Sequence, residues 1–245
     1  YDTGEFTTNT QRRHDDTALV LESVLDEGME SPKGRSAVRR MNQMHGSYDI
    51  SNNDMRYVLA TFVVIPQRWI RDYGWRRGTE IEKLASVRYY QRMGQLMGIT
   101  DIPADFEEFE ELLNAYEVEH FGYDDKARAV ADATLKLLVS FYPRIFAKGT
   151  NLFSRALMDA HLLNAFGYKV PSRPVVWIAR ASLRMRGRVV RFMPARRTPL
   201  HANELKRVKS YPGGFIVERL GTFPSTERGT AGSKGTEMRD RSAIS

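Results

Sequence analysis

Residues 31–46 of the 245-residue chain read SPKGRSAVRRMNQMHG. Ser31 followed by Pro32 is typical of a helix start, because a serine hydroxyl accepts a hydrogen bond from a free backbone N–H and proline fits the first helical position. Gly46 is typical of the position just after a helix. The segment therefore predicts one amphipathic helix with a single apolar stripe that ends at a histidine, formed by Ala37, Val38, Met41, Met44 and His45.

Similar caps and the 3.6-residue period continue on both sides of this segment, with almost no alternation of period two. The pattern predicts an all-α fold of about eight helices, the first capped by Asp15, Asp16 or Thr17. The sequence shows no internal repeat and no dividing linker, so we expect one helical domain over residues 1–228. Residues 229–245, rich in Gly, Ser, Thr and charge, predict a flexible tail. The predicted helices cover residues 15–28, 31–46, 55–73, 79–97, 105–120, 124–142, 152–166 and 174–193.

Composition excludes several kinds of site. The chain contains no cysteine, which excludes disulfides, thiolate zinc sites, iron–sulfur clusters, cysteine nucleophiles and thiolate-ligated haem. It also has no P-loop, no Gly-rich dinucleotide loop, no Gly-x-Ser-x-Gly elbow and no His-Glu-x-x-His. A redox cofactor would therefore be held by His, Tyr, Met or carboxylate side chains.

His45 lies on the apolar stripe of the predicted helix 31–46. An imidazole on such a face can be an axial ligand of haem iron. The alternative, which its position alone favours, is a core or surface histidine with a single hydrogen bond.

Arg13 and Thr17 are four residues apart, a spacing that places two side chains on one helical face. Together an arginine and a hydroxyl could orient a bound oxygen species or a substrate. The alternative is a helix capped by Asp15 or Asp16, with Arg13 in solvent.

Glu117 and His120 form a Glu-x-x-His sequence, the spacing that di-iron helical bundles use. Such sites need a second copy, and the chain has none. A solvated acidic helix is therefore the favoured interpretation of this segment.

The net charge of +7 is unevenly placed. Residues 101–125 carry ten acidic residues and no Lys or Arg, whereas residues 180–197 carry seven arginines and no acid. Apolar residues interleave with these arginines over 174–197, which is typical of a helix that docks on an anionic membrane surface. The alternative is that the apolar face packs on the core while the arginines neutralise segment 101–125. No nucleic-acid motif accompanies the charge, so we expect no nucleic-acid partner.

Several segments together resemble one known family, the MpaB and rubber-oxygenase (latex-clearing protein) family. They are RRHDDT (12–17), SPKGR (31–35), RRMNQMHG (39–46), ISNNDMRYVLATF (50–62), PQRW (66–69) and YGWR (73–76). The similarity runs in order from about residue 12 to residue 220. It implies a helical fold with a globin-like core around haem b, and cleavage of carbon–carbon double bonds in isoprenoid chains by dioxygen.

The resemblance also assigns residue roles. His45 matches the proximal ligand of the haem iron, and Arg13 and Thr17 match the Arg-x-x-x-Thr motif of the haem pocket. Met41, one turn before the histidine, would then offer a soft apolar surface to the porphyrin. In the rubber oxygenases a lysine lies between that arginine and threonine, whereas this sequence has Asp16 there.

Other residues have two interpretations each. Arg39 and Arg40 could meet the haem propionates or form a solvated basic face. Bulky residues of the third predicted helix suit either a substrate tunnel or plain core packing: Tyr57, Leu59, Phe62, Val63 and Trp69.

Two function hypotheses follow. The first is a haem-dependent oxygenase acting on a hydrophobic small molecule, associated with the endoplasmic reticulum or another organelle membrane. The second is a non-catalytic family member that serves as a structural or interaction subunit of a membrane-associated protein complex.

Overall fold

Helices account for the regular structure of residues 5–221, the part of the chain that the computed structural model describes. The all-α prediction is confirmed, and no strand occurs within that range. The α-helices are α1 (Glu5–Thr8), α2 (Thr10–Glu27), α3 (Pro32–His45), α4 (Asn52–Tyr73), α5 (Glu80–Leu96), α6 (Phe106–His120), α7 (Asp125–Ser140), α8 (Ala147–Leu157), α9 (Ala160–Ala165) and α10 (Arg173–Val190). Short 3-10 helices lie at Arg144–Phe146, Ala202–Glu204 and Val217–Arg219. The expected tail, 229–245, lies outside the described residues.

Local caps set several helix starts where the sequence predicts them. The Ser31 hydroxyl accepts a hydrogen bond from the Gly34 N–H at 2.9 Å, and α3 begins at Pro32. Thr79 and Glu82 form a reciprocal capping box at the start of α5. Because these contacts use only neighbouring residues, the predicted and observed bounds of both helices agree within one residue.

The predicted cap of the first helix is wrong. α2 begins at Thr10, five residues before Asp15, and both Asp15 and Asp16 are buried inside it. The two carboxylates accept hydrogen bonds from the segment 209–211 rather than from the helix start. Partners almost two hundred residues away cannot be read from a local pattern.

The predicted helix 152–166 is also wrong, because two helices occupy that stretch. The chain leaves helical geometry at Met158, whose ψ is 147°. Asp159 then starts α9 by accepting a hydrogen bond from the Leu162 N–H at 2.8 Å. Aspartate is a common residue at the N-cap of a helix, so Asp159 is a sequence signal for the start of α9.

A buried cluster between α2 and α3 positions the functional site. Each fully buried large apolar side chain in it contributes about 1.5–3 kcal/mol to folding. Gly34 allows the close approach, since a Cβ there would lie 1.9 Å from the Gly28 carbonyl oxygen at the end of α2. The cluster comprises Leu19, Val20, Val24, Met29, Ala37, Val38, Met41, Met44, Met93 and Leu220.

The acidic helix α6 packs on α4, and its charge is met by α4 and α5. Arg68 pairs with Glu110 at 2.9 Å, and Lys83 pairs with Glu107 at 3.2 Å. Helix α10 instead packs on α4 and α8. Within residues 5–221 the arginines of 180–197 make no ion pair, so the predicted neutralisation of segment 101–125 by the basic helix is wrong.

Candidate functional site

Helices α2, α3, α4 and α5, with the turns after α3 and α5, line a cavity of about 260 Å³. Its volume is near the lower end of small-molecule pockets in proteins, about 300–1,000 Å³. The walls are mainly apolar, which favours a hydrophobic ligand. The apolar lining residues are Val20, Leu21, Met41, Met44, Ile50, Met55, Val58, Leu59, Phe62, Met93, Met97 and Ile99.

The structure brings the four sequence-predicted site residues together. Arg13 and Thr17 line the cavity from α2, while Met41 and His45 line it from α3. The polar groups of an otherwise apolar pocket are thus concentrated where α2 and α3 meet.

His45 ends α3 and is half-buried. Its Nδ1 atom is buried and has no hydrogen-bond partner among the described residues. Burial first, and the positive charge of Arg13 second, lower the pKa of His45 below its ordinary value. A neutral imidazole with an unpartnered nitrogen is the form that binds a metal ion.

Arg13 and Thr17 contact each other along one face of α2. The Thr17 hydroxyl donates to the Arg13 carbonyl at 2.9 Å, and the Arg13 guanidinium donates to the Thr17 oxygen at 3.3 Å. The pair holds a positive charge and a hydroxyl at the cavity wall.

Asp16 also lines the cavity and is 1% exposed. Its Oδ1 accepts a hydrogen bond from the Tyr211 hydroxyl, while Oδ2 has no hydrogen-bond partner among the described residues. Burial, then the bond to Asp16, raises the pKa of Tyr211 to about 12. The local pattern predicts a cap at Asp16, although its spacing of three and four residues from the apolar Leu19 and Val20 places it on the buried face of α2.

Asp54 is a second lining carboxylate, and the sequence pattern does not predict it as a site residue. It accepts a hydrogen bond from the Tyr116 hydroxyl of α6, and this bond is the main reason why the pKa of Asp54 is lowered. No local signal marks it, because its partner lies on another helix.

The predicted tunnel residues separate into lining and packing groups. Leu59 and Phe62 line the cavity. Val63 is buried in the core between α4, α5 and α6, and Tyr57 stacks on Tyr116 with ring centroids 4.2 Å apart. Trp69 is exposed on α4.

Neither Arg39 nor Arg40 lines the cavity. Arg40 is buried and donates from Nε to the Leu220 carbonyl at 2.6 Å, so the interpretation of a solvated face is wrong for this residue. Arg39 is exposed.

Glu117 and His120 do not form a metal site with other described residues. His120 stacks on Tyr116 at 4.1 Å, and Glu117 accepts from the Tyr57 hydroxyl at 3.4 Å. Within residues 5–221 the group of potential metal ligands that does converge is Glu22, Asp26 and His201.

Residues 1–193 match the family model described as "ER-bound oxygenase mpaB/B'/Rubber oxygenase, catalytic domain". The chain belongs to this family. The resemblance in the sequence is therefore confirmed at the level of the family, whose members are described as oxygenases.

Curated relatives of this MpaB/rubber-oxygenase domain come from Penicillium. "ER-bound oxygenase mpaB'" of Penicillium brevicompactum is 27% identical over 188 residues, which cover 69% of this chain and 44% of the relative. "ER-bound oxygenase mpaB" of Penicillium roqueforti (strain FM164) is 26% identical over 184 residues, which cover 68% of this chain and 62% of the relative. The matched regions thus span about half the length of these relatives. No solved structure matches the chain significantly, so a globin-like core stays a prediction.

The relatives' names place them at the endoplasmic reticulum. Within residues 5–221 of this family member, no helix has both the length and the apolar character needed to span a bilayer.

The chemistry of the lining residues suits the haem that the resemblance implies. His45 offers a buried nitrogen without a partner, and the methionines of α3 and α5 offer a soft apolar wall. Arg13 supplies a cation for an anionic group of a ligand.

Proposed function

We propose that the chain is the catalytic domain of a haem b-dependent oxygenase that uses dioxygen to cleave carbon–carbon double bonds in an isoprenoid or other lipid-like substrate. One observation carries the proposal: the residues that match the family's haem motifs line a single, mainly apolar cavity. Membership of an oxygenase family supports the reaction class.

His45 would hold the haem iron, with Met41 and Met44 packed beside the porphyrin. The bound haem would supply the iron that activates dioxygen. The lowered pKa of His45 supports this role, because it keeps the imidazole neutral and able to coordinate near neutral pH.

Arg13 and Thr17 would orient polar groups at the α2 wall. The Thr17 hydroxyl donates its proton to the Arg13 carbonyl. Its oxygen therefore acts as a hydrogen-bond acceptor. Arg13 would bind a propionate or orient the oxygen that reacts.

The apolar wall would bind the hydrocarbon chain of the substrate and exclude water from the reacting bond. Leu59 and Phe62 contribute to this wall from α4, and Met93 and Met97 contribute from α5. No cysteine is available for thiolate-haem monooxygenation, which favours cleavage without an external reductant.

The test is incubation of the haem-loaded protein with a prenylated phenol or polyisoprene under ¹⁸O-labelled dioxygen, followed by mass spectrometry. We expect carbonyl fragments that carry the label and oxygen consumption without NADPH. Hydroxylated products with an intact chain, or turnover only with NADPH and a reductase, would contradict the proposal.

A non-catalytic role is the second candidate, favoured by the exposed apolar face of α10 as an interaction surface. An absorption spectrum separates the two candidates. A colourless, stably folded protein after haem supplementation would favour the structural or interaction subunit, whereas a strong Soret band would favour the oxygenase.

Membrane association is part of the proposal. The names of the relatives support it. The proposed lipid-like substrate also supports it, because such a molecule partitions into bilayers.

A further inference from the structure

The outer face of α10 is apolar and exposed. Trp177 is 70% exposed, and Phe192, just beyond the helix end, is 85% exposed. The helical turn continues through that end, because the Arg191 N–H donates to the Gly187 carbonyl and the Phe192 N–H to the Val189 carbonyl. The α10 face is the stripe formed by Trp177, Ile178, Met185, Val189 and Phe192.

This stripe is not the side on which α10 packs. The buried residues of the helix are Ala179 and Gly187. Gly187 lies so close to α4 that an added Cβ would be 2.6 Å from the Tyr73 carbonyl oxygen. The helix therefore has one apolar side against the protein and a second one in solvent, an arrangement that folding alone does not require.

Arginines flank the α10 face. At 100° per residue, Arg184, Arg188 and Arg191 follow one edge of the stripe and Arg186 follows the other. All four are exposed, and none makes an ion pair with a residue of 5–221. Guanidinium groups at this position can bind phosphate while their stems cover apolar surface.

We propose that the α10 face docks on an anionic phospholipid bilayer, an inference that rests on the membrane association in the proposed function and names the surface responsible for it. The apolar side chains enter the boundary between headgroups and acyl chains, and the flanking arginines bind lipid phosphates. Charge complementarity selects this occupant. The remaining C-terminal residues 222–245 contain four basic and three acidic residues, so they offer these arginines little complementary charge.

The first test measures binding of the full chain to vesicles by flotation. We expect binding to vesicles of phosphatidylcholine with phosphatidylserine, weak binding to phosphatidylcholine alone, and loss of binding as salt increases. The variant Arg184→Glu/Arg188→Glu/Arg191→Glu should bind anionic vesicles at least about 100-fold more weakly, since each arginine contributes about fivefold. Arg88→Glu, at an exposed site on α5, is the control and should retain most of the affinity.

A second test locates the contact. Lipids brominated in the acyl chain should quench Trp177 fluorescence, so the quenching should be lost in Trp177→Phe and retained in Trp69→Phe. Phe192→Ser should weaken vesicle binding about tenfold, whereas Val118→Ser, at an exposed site on α6, should have little effect.

Circular dichroism at increasing temperature checks that each variant is folded. Three results would overturn the proposal: equal binding of the triple-arginine variant, failure of the folded wild type to bind anionic vesicles, or binding to duplex DNA in place of vesicles. A dimer in sedimentation that Phe192→Ser dissociates, without vesicle binding, would assign the α10 face to a second copy of the chain instead.

Discussion

Beside the cavity, the charged side chains of Asp15, Asp16 and Arg40 are buried and hydrogen-bonded, whereas the arginines on the outer face of α10 are exposed and make no ion pair with a residue of 5–221. Asp15 accepts bonds from Gln11 and from the backbone of 209–210, and Arg40 is tied to Leu220. The arginines beside the α10 face have no comparable contacts. Charge in the first region fixes distant segments to one another, while charge in the second is available to an outside partner.

The largest expected effect is at the cavity. His45→Ala should abolish stable haem binding, because it removes the nitrogen that would hold the iron. The helices should remain, since burial of apolar side chains rather than a metal stabilises a domain of this size. The Soret band and haem content after reconstitution measure the first effect, and far-ultraviolet circular dichroism measures the second.

His120→Ala is the matched control for that substitution, because His120 lies on α6 outside the cavity. Unchanged haem content and an unchanged axial-ligand spectrum in His45→Ala would refute the assignment of the ligand.

The next effect concerns stability. Asp15→Ala should lower the free energy of unfolding by at least about 3 kcal/mol, since several buried donors lose their acceptor at about 1–3 kcal/mol each. Urea unfolding measures this value. Asp26→Ala, which removes an exposed carboxylate paired with His201, should cost less than about 1 kcal/mol.

The same aspartate predicts a pH dependence. Burial alone would raise the pKa of Asp15, but hydrogen bonds from His14, Ser210 and the backbone of Lys209 lower it overall. A carboxyl whose pKa is lower when folded stabilises the protein above its unfolded pKa of about 3.9 and loses that contribution as pH falls through the folded pKa. Asp15→Asn should flatten the acid limb of stability against pH, and an unchanged limb would contradict this account.

A smaller effect is expected at the α2 wall. Arg13→Ala should weaken haem affinity by about 1–3 kcal/mol, because an anionic group loses its charged donor. Thr17→Val should cost about 0.5–1.5 kcal/mol, the contribution of one ordinary hydrogen bond. Titration of haem into the apoprotein measures both values.

Arg39→Ala serves as the arginine control, since Arg39 lies on α3 but outside the cavity. If Arg13→Ala and Arg39→Ala bound haem equally well, the Arg-x-x-x-Thr segment would be only a surface feature of α2.

The smallest expected effect is the change in the free energy of unfolding when the α10 face is altered. Phe192→Ser should change the free energy of unfolding by less than about 0.5 kcal/mol, because the ring is already exposed. Leu19→Ala, fully buried in the α2–α3 cluster, should cost about 2–5 kcal/mol. Similar losses in the two variants would mean that the α10 face is covered by the protein itself.

Features that depend on neighbours in sequence could be predicted. Ser31, Thr79 and the period of the apolar residues gave the bounds of α3 and α5, because capping bonds span only three residues. The family motifs led to Arg13, Thr17, Met41 and His45, which do line one cavity.

Features that depend on long-range contacts could not be predicted. Asp15 and Asp16 resemble helix caps until their partners near residue 210 are known. Asp54 gives no local sign of the cavity it lines. The amphipathic pattern of 174–193 did not reveal which apolar side faces the protein, since α10 has two.

Hydrogen bonds join residues 209–220 to α2 and α3, and they bear on where the folded domain ends. The family model ends at residue 193, yet the donors of Asp15, the hydroxyl that meets Asp16 and the acceptor of Arg40 all come later in the chain. A fragment cut at that boundary would bury two carboxylates and a guanidinium without these partners, at a cost comparable to the whole stability of a typical domain. The smallest piece expected to fold by itself therefore extends at least to Leu220, and expression trials, domain fusions and searches for shortened homologues should use that limit.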